Sequence, residues 1–300
     1  MYTNILEILK NNDISYRMNE PMSEHTTFRI GGCADIFVIP DNTDKLITAI
    51  KAVKKSNIDY YVVGRGSNLI FPDDGYKGIV VSTEGLKNIS VSGNTIVCDC
   101  GVSMNVLSSK ARDAALKGLS FAYGIPGFVG GAVFMNAGAY GGQISDVLVR
   151  STYYDTETGK IGTFEAADHK FGYRESVYKE NPSFVILSAE FVLENGDPAL
   201  IKAEMDDFME RRRTKQPLEF PSAGSVFKRP VGYFAGQLIE ECGFKGKGVG
   251  GAVVSEKHAG FIVNIGGATA KDVADLVDWI KREVFNKYGV ELVCEIIFVK

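Results

Sequence analysis

The chain has 300 residues, 45% of them hydrophobic, and carries 33 basic and 37 acidic side chains for a net charge of −4. This length and composition allow a well-buried core and favour about two domains. Arg-Arg-Arg at 211–213 is the nearest approach to a basic block. It lies at the end of an acidic helical pattern, and no block of like charge is long enough to suggest a nucleic-acid-binding arm. Arg212 and Arg213 are expected to be solvated.

Targeting and metal-binding patterns are also missing from the sequence. The N-terminus has no basic segment followed by an apolar stretch and a cleavage site, so a signal peptide is not expected. No run of about 18 apolar residues occurs, which argues against a membrane span. The five cysteines are odd in number and include no CxxC pair, which favours neither a disulfide framework nor a zinc site. We therefore expect a reduced, cytoplasmic protein without a metal.

Strand and helix patterns alternate over residues 1–85, which is typical of an α/β lobe. Short apolar runs predict strands at 36–40, 60–64 and 78–83. Apolar residues at helical spacing predict a helix over 45–57.

A second lobe is predicted over residues 86–205 and a smaller α/β domain over 206–300. The second lobe has predicted strands at 95–100, 147–155 and 184–193, a helix at 105–118 closed by Gly118, and a helix from about Ala199 to Arg213. The last domain has a helix within 234–243, a closing strand at 292–299, and a helix at 272–289. Apolar residues line one face of this last helix: Val273, Leu276, Val277, Ile280, Val284 and Tyr288.

Residues 124–142, the glycine segment, contain seven glycines, one proline and no charged side chain. Ordering so many glycines costs conformational entropy, and Phe128, Val129 and Phe134 make the stretch too apolar for a disordered linker. One interpretation is a folded cradle whose bare N–H groups hold a phosphate or a flat ring system. The alternative is a closely packed set of turns.

A second glycine motif, Gly-Arg-Gly-Ser-Asn at 64–68, directly follows the predicted strand at 60–64. It can offer successive N–H groups and a hydroxyl to a pyrophosphate. It is not the Rossmann fingerprint, because no third glycine opens a helix. An ordinary turn is at least as plausible from these residues alone. Together, the two glycine motifs match what a dinucleotide needs, a pyrophosphate site and a ring site.

Seven motifs follow one another along the chain: Thr-Thr-Phe-Arg-Ile-Gly-Gly (26–32), 64–68, 124–132, Asn-Ala-Gly-Ala-Tyr-Gly (136–141), Gly-Tyr-Arg (172–174), Gly-Ser-Val-Phe-Lys-Arg-Pro (224–230) and Cys-Glu (294–295). In this order they closely resemble the UDP-N-acetylenolpyruvoylglucosamine reductase family, over about residues 20–300. The resemblance implies a two-lobed PCMH-type, vanillyl-alcohol-oxidase-like FAD-binding fold of the α/β (α+β) class. It also implies a smaller C-terminal α/β domain that binds the substrate.

The resemblance implies a flavoenzyme of peptidoglycan biosynthesis that binds FAD non-covalently. In this family, NADPH reduces FAD, and UDP-N-acetylglucosamine enolpyruvate is then reduced to UDP-N-acetylmuramate. The residues implied in cofactor binding are Gly64, Arg65, Gly66, Ser67, Asn68, Gly124, Ile125, Pro126, Gly127, Gly130, Gly131, Asn136, Gly138 and Ala139.

Three residues match the catalytic positions of the family. Arg174 would hold the substrate carboxylate in a two-pronged hydrogen bond, and Ser225 would protonate the carbanion. Glu295 would orient Arg174 or a water near the enediolate. Without the resemblance, the alternatives are an ion-paired surface arginine, a serine that caps a turn, and a glutamate on the exposed face of an edge strand.

Lys215, Arg229, His258 and Tyr173 resemble substrate-binding residues of the family. For each of them, the alternative is a solvated position on the surface.

Some members of the family carry an inserted loop with a tyrosine that clamps the UDP group, but residues 173–191 are too short for that insertion. The chain therefore resembles the compact subtype, and the uridine clamp is unassigned.

The two alternative functions are an FAD oxidase of the same fold and a non-catalytic binding module. An FAD oxidase of the same fold often attaches its flavin through a histidine or cysteine. Residues 36–167 hold no histidine, and the glycine segment holds neither residue, which argues against covalent attachment. A non-catalytic flavin- or nucleotide-sugar-binding module would not need the Ser225 hydroxyl. No obligate protein partner is evident.

Overall fold

The computed structural model describes residues 2–300 and divides them into two units. The first contains the chain up to Met18, Ile36–Arg65 and Gly78–Glu210. The second contains Asn19–Asp35, Gly66–Lys77 and Arg211–Lys300. The lobe boundaries predicted near residues 85 and 205 stay predictions.

The helices range from single turns to 19 residues. They are α1 (Thr3–Asn11), α2 (Thr43–Lys55), α3 (Met104–Asp113), α4 (Val129–Phe134), α5 (Val177–Glu180), α6 (Pro198–Lys215), α7 (Ala235–Glu241) and α8 (Ala270–Tyr288).

The strands are mostly short. They are β1 (Ser15–Pro21), β2 (Cys33–Ile39), β3 (Tyr60–Val63), β4 (Leu69–Ile70), β5 (Tyr76–Ser82), β6 (Ile89–Ser92), β7 (Thr95–Asp99), β8 (Leu116–Lys117), β9 (Gly138–Ala139), β10 (Gly142–Gln143), β11 (Leu148–Asp155), β12 (Ile161–Glu165), β13 (Phe184–Val192), β14 (Glu194–Asn195), β15 (Gly248–Val249), β16 (Ala252–Val254), β17 (Ile262–Asn264) and β18 (Ile297–Phe298).

Two sheets lie mainly in the first unit. One has the order β1-β2-β5-β3, with β3 and β5 parallel. The other is antiparallel, with the order β12-β11-β13-β7-β6. Fully buried apolar side chains of α2, β2, β5 and β13 contribute to one continuous core. The predicted mixed α/β class of this part is confirmed.

The second unit has its own core around α7, α8 and the three-stranded antiparallel sheet β15-β16-β17. Thr269 and Asp272 form a capping box at the start of α8, and Gly289 ends the helix with φ +67°. The predicted apolar face of α8 is confirmed, since five of its residues are buried and Tyr288 packs at the edge of the core.

Two predicted elements differ from the structure. Helix α3 ends at Asp113, not at Gly118, and the left-handed residue after it is Ala115 with φ +57°. Residues 116–117 instead pair with 194–195 as strands. The predicted closing strand over 292–299 is reduced to β18, which pairs in parallel with β4.

The prediction for Arg212 is wrong, because this side chain is buried with 6% of its surface exposed. Its Nη1 atom lies 3.5 Å from Gln216 Oε1. Arg213 is exposed, as expected.

Among the helices described over residues 2–300, none combines the length and apolar character needed to cross a membrane.

Candidate active site

The glycine segment folds as a loop, the short helix α4 and the hairpin β9–β10. Its own hydrogen bonds fix the loop: Gly124 N–H donates to Asn105 Oδ1 at 2.7 Å, and Gly130 N–H donates to Cys100 O at 2.8 Å. Gly124 has φ +84°, a conformation that favours glycine. The segment is therefore an ordered part of the first unit.

The first residue of the second glycine motif lies beside this segment. A Cβ added at Gly64 would sit 3.7 Å from the ring of Phe128. Since both residues belong to the first unit, the strand end at β3 and the glycine segment are adjacent there. Arg65, the next residue, is exposed.

The remainder of this motif is held within the second unit. Gly66 has φ +64°, and a Cβ there would overlap the carbonyl oxygen of His25. Its own carbonyl accepts a hydrogen bond from Thr27 N–H at 3.3 Å. Asn68 Nδ2 donates to Glu295 O at 3.0 Å, and Asn68 O accepts from Ile297 N–H at 2.9 Å. Three of the sequence motifs, 26–32, 64–68 and 294–295, are thus linked by hydrogen bonds to main-chain carbonyls, one of them donated by the Asn68 side chain.

Arg174 lies in a tight turn of the first unit and has φ +60°. Its Nη1 donates to Asn136 O at 3.4 Å, and its Nη2 donates to Gly138 O at 3.3 Å. The guanidinium also lies 5.1 Å from the centre of the Tyr173 ring, which is 52% exposed. The predicted catalytic arginine is therefore bound to the backbone of the glycine segment, and both contacts are long for hydrogen bonds.

Three further hydrogen bonds fix the turn that carries Arg174. Asn136 Nδ2 donates to Gly172 O at 3.0 Å, and Ser176 Oγ donates to Phe134 O at 2.7 Å. Lys179 Nζ donates to Arg174 O at 2.8 Å. The side chain of Asn136 also accepts from Ser145 N–H at 3.0 Å, so it joins the glycine segment to the turn.

Ser225 and Glu295 lie on neighbouring stretches of the second unit. Ser225 is exposed and follows Gly224, which has φ +78°. Glu295 is half-buried, and its N–H donates to the carbonyl of Val226 at 2.8 Å. The two predicted catalytic residues of this unit are therefore brought together through their backbones.

The predicted substrate-binding residues of the second unit differ in their surroundings. Lys215 ends α6 and is exposed, and the Arg229 guanidinium lies 4.5 Å from the centre of the Phe234 ring. Burial lowers the pKa of His258, so its ring is neutral at pH 7. Because His258 Nδ1 accepts from Gly260 N–H at 3.0 Å, its proton lies on Nε2, which can donate to a ligand.

Family models match two stretches of the chain. Residues 34–165 match the model described as an FAD binding domain. Residues 216–299 match the model described as the C-terminal domain of UDP-N-acetylenolpyruvoylglucosamine reductase.

Complete relatives extend the match to almost the whole chain. UDP-N-acetylenolpyruvoylglucosamine reductase of Alkaliphilus oremlandii is 48% identical over 93% of this chain and 91% of its own length. The chain belongs to the UDP-N-acetylenolpyruvoylglucosamine reductase family. The crystal structure of the reductase from Thermus caldophilus matches with a TM-score of 0.79 and 31% identity, over 96% of this chain and 99% of the other.

A more distant structure supports the FAD-binding fold alone. A berberine bridge enzyme variant matches with a TM-score of 0.52 and 14% identity, over 65% of this chain and 44% of the other. The predicted PCMH-type fold class is therefore confirmed together with the reductase family.

The glycine segment of this reductase-family chain fits an FAD group. Gly131 is exposed within α4, and an added Cβ would meet no atom of the described residues within 4 Å. The packing of the protein therefore does not require glycine here, although glycine in a helix costs about 1 kcal/mol relative to alanine. A bare backbone at this point suits a ligand that approaches closely.

Two candidate attachment side chains of the first unit, Cys100 and His169, do not suit covalent flavin attachment. Burial raises the pKa of the Cys100 thiol to about 12, so the reactive thiolate is disfavoured. His169 is fully buried, and both of its ring nitrogens are within hydrogen-bond distance of protein oxygens. These contacts agree with non-covalent FAD.

Sequence reasoning missed Lys179, Ser176 and the buried neighbours of the Arg174 turn. Lys179 lies i+4 from Glu175, so from the sequence it would be taken for an ordinary surface ion pair. Its hydrogen bond to the Arg174 carbonyl depends on the left-handed backbone conformation of Arg174, which no sequence pattern predicted.

Proposed function

We propose that this chain reduces UDP-N-acetylglucosamine enolpyruvate to UDP-N-acetylmuramate, with NADPH as the reductant and FAD as a non-covalently bound cofactor. Membership of the reductase family and the FAD-binding domain support the reaction. The structural observation that carries the proposal is the anchoring of Arg174. Its guanidinium is held by two carbonyls of the glycine segment, the stretch that would hold the flavin.

FAD held by the glycine segment would supply the hydride chemistry that couples NADPH to the enolpyruvyl double bond. Negative charge then develops on the substrate carboxylate, and this charge needs a cation. Arg174 supplies a planar fork that remains charged and can bind both carboxylate oxygens. Its present contacts, at 3.3–3.4 Å, are to neutral carbonyls, and a charge-assisted pair with a carboxylate would be stronger.

Ser225 is proposed to give the proton that completes the reduction. Its exposure and the positive φ of Gly224 leave the hydroxyl accessible to a ligand. Because a serine hydroxyl is a weak acid, this role requires a strongly basic carbanion and nearby positive charge. Glu295, bonded through its main chain to Val226, is proposed to orient the charged groups or a water at the enediolate.

The UDP and sugar groups are assigned to Lys215, Arg229, His258 and Tyr173. Lys215 and Arg229 would pair with the diphosphate, and the Nε2–H of neutral His258 would donate one hydrogen bond. The exposed ring of Tyr173 would cover the substrate beside Arg174.

A cytoplasmic location is part of the same proposal, since both NADPH and a nucleotide-linked sugar are cytoplasmic metabolites. We propose no nucleic-acid or obligate protein partner. The two substrates are the partners that the reaction requires.

The activity is tested by product analysis. The purified protein, NADPH and UDP-N-acetylglucosamine enolpyruvate should give a product heavier than the substrate by the mass of two hydrogens. UDP-N-acetylglucosamine, which lacks the double bond, serves as the control and should not oxidise NADPH. Consumption of NADPH without this product would refute the assignment.

A further inference from the structure

A buried chain of side-chain hydrogen bonds connects residues that precede and follow the turn that carries Arg174. Ser151, on β11, is 1% exposed, and its Oγ lies 2.6 Å from His169 Nε2 and 2.5 Å from the Tyr178 hydroxyl. His169 Nδ1 lies 2.8 Å from the carbonyl oxygen of Glu165. All three side chains are at least 99% buried, so each polar atom depends on these contacts.

The direction of every hydrogen bond in this network follows from the bond between His169 Nδ1 and Glu165 O. A carbonyl oxygen can only accept, so His169 Nδ1 carries a proton and donates to Glu165 O. Burial lowers the pKa of His169, which keeps the ring neutral and makes Nε2 an acceptor. Ser151 therefore donates to His169, and Tyr178 donates to Ser151. Each hydroxyl has one defined task.

This network of hydrogen bonds joins the two ends of the Arg174 turn. His169 precedes Arg174 in the sequence and Tyr178 follows it on α5, and both contact the same serine of β11. Arg174 itself has φ +60°, a conformation that is strained for a non-glycine residue and persists only when its surroundings impose it. The hydrogen bonds of Asn136 and Ser176 hold the same turn from the side of the glycine segment.

We propose that Ser151, with His169 and Tyr178, positions the guanidinium of Arg174 for the substrate carboxylate. Ser151 is thus a positioning residue that acts through the turn, without touching the substrate. The proposal rests on the proposed function, because it assigns a role in carboxylate binding to this turn. Misplacement of a binding group by about 1 Å can cost on the order of 100-fold in rate.

A matched pair of variants isolates the Ser151 hydroxyl. Ser151→Thr keeps the hydroxyl and adds a methyl group. Ser151→Val has nearly the same shape as the threonine variant, but a second methyl group replaces the hydroxyl. In the FAD-loaded enzyme, we expect NADPH to reduce the flavin within about twofold of the wild-type rate in both variants. Reoxidation by the enolpyruvyl substrate should be roughly 10–100-fold slower in Ser151→Val than in Ser151→Thr, with a raised KM.

Tyr178→Phe provides a second test if the added methyl group prevents folding. It removes the donor to Ser151 and keeps the ring, and it should slow only the reoxidation step. Tyr154→Phe is the control: it removes the hydroxyl of a different buried tyrosine, which lies on β11, and should leave both steps unchanged.

The outcomes separate the two proposals. If the substrate reoxidises wild-type flavin, but Thr and Val variants behave alike or slow both steps equally, the positioning role is refuted and the function stands. Equal rates for Tyr178→Phe and wild type refute it in the same way. If wild-type flavin is not reoxidised by the substrate, the function itself fails and the positioning role fails with it.

Discussion

Arg174 illustrates how one residue combines charge with a demanding backbone position. Its φ of +60° is imposed by hydrogen bonds on both sides of the turn, and its guanidinium reaches two carbonyls at once. A lysine ammonium is a point charge and cannot make this planar contact. The two side chains are therefore not interchangeable here.

We expect Arg174→Lys to slow flavin reoxidation by the enolpyruvyl substrate by about 100-fold or more, in line with the loss of an oriented charge contact. Flavin reduction by NADPH should stay near the wild-type rate in stopped-flow measurements. Arg150→Lys, which alters an exposed arginine paired with Glu165 and Glu190, is the control. Near-normal turnover of Arg174→Lys would remove this residue from the mechanism.

Ser225 gives the second prediction at the scale of the residue. Ser225→Ala should leave flavin reduction fast and slow reoxidation by about 100- to 10,000-fold, the usual contribution of a proton donor. Ser225→Thr retains a hydroxyl and should recover part of the loss. If alanine slowed the two half-reactions equally, Ser225 would not be the proton donor.

The sequence motifs indicate candidate site residues, but they do not indicate the contacts of those residues. The motifs Gly-Tyr-Arg and Gly-Ser-Val-Phe singled out Arg174 and Ser225 through a resemblance, and their roles stay predictions. Arg212 was wrongly expected to be solvated, since a polar helix end does not reveal which of its faces packs inward. The Ser151 network could not be predicted because its members lie on separate elements, and no local pattern reports how those elements pack.

At the scale of the element, helix α4 offers a direct test of the flavin cradle. Gly130 and Gly131 are neighbours with opposite surroundings. A Cβ at Gly130 would lie 3.0 Å from Cys100 Cβ, whereas one at Gly131 would meet no described atom within 4 Å. A side chain at the first glycine would be in tight contact with Cys100, whereas the second glycine has open space beside it.

Gly131→Ala should therefore stabilise the flavin-free protein by up to about 1 kcal/mol while weakening FAD binding. Gly130→Ala, the matched variant, should instead destabilise the fold by about 1–3 kcal/mol through overpacking. Urea unfolding of the apoprotein and flavin titration measure the two effects separately. Wild-type FAD affinity in Gly131→Ala would contradict the cradle.

Elements were predictable where local pattern and packing agree. The apolar stripe of α8 and the apolar runs of β3, β5 and β13 gave the correct element types. The segment 292–299 was misread because it changes partner along its length: Cys294 pairs with Phe227, whereas Ile297 pairs with Leu69. Such pairings depend on distant residues, which local periodicity does not report.

At the scale of the whole molecule, the resemblance predicted fold class and family, and composition did not. The second unit draws on residues 19–35 and 66–77 as well as the C-terminal part, so its membership is non-local. No composition shift or linker in the sequence marks those two inserted segments. The helices and strands were thus more accessible to sequence reasoning than the assembly of the second unit.

The most direct test of the account is the anaerobic absorption spectrum of the purified protein. We predict a yellow preparation that releases FAD on denaturation. In the native protein, NADPH should bleach the bound FAD, and UDP-N-acetylglucosamine enolpyruvate should restore the yellow colour. UDP-N-acetylglucosamine should leave the bleached flavin unchanged. A protein that cannot be loaded with FAD, or a reduced flavin that the enolpyruvyl substrate fails to reoxidise, would contradict the account.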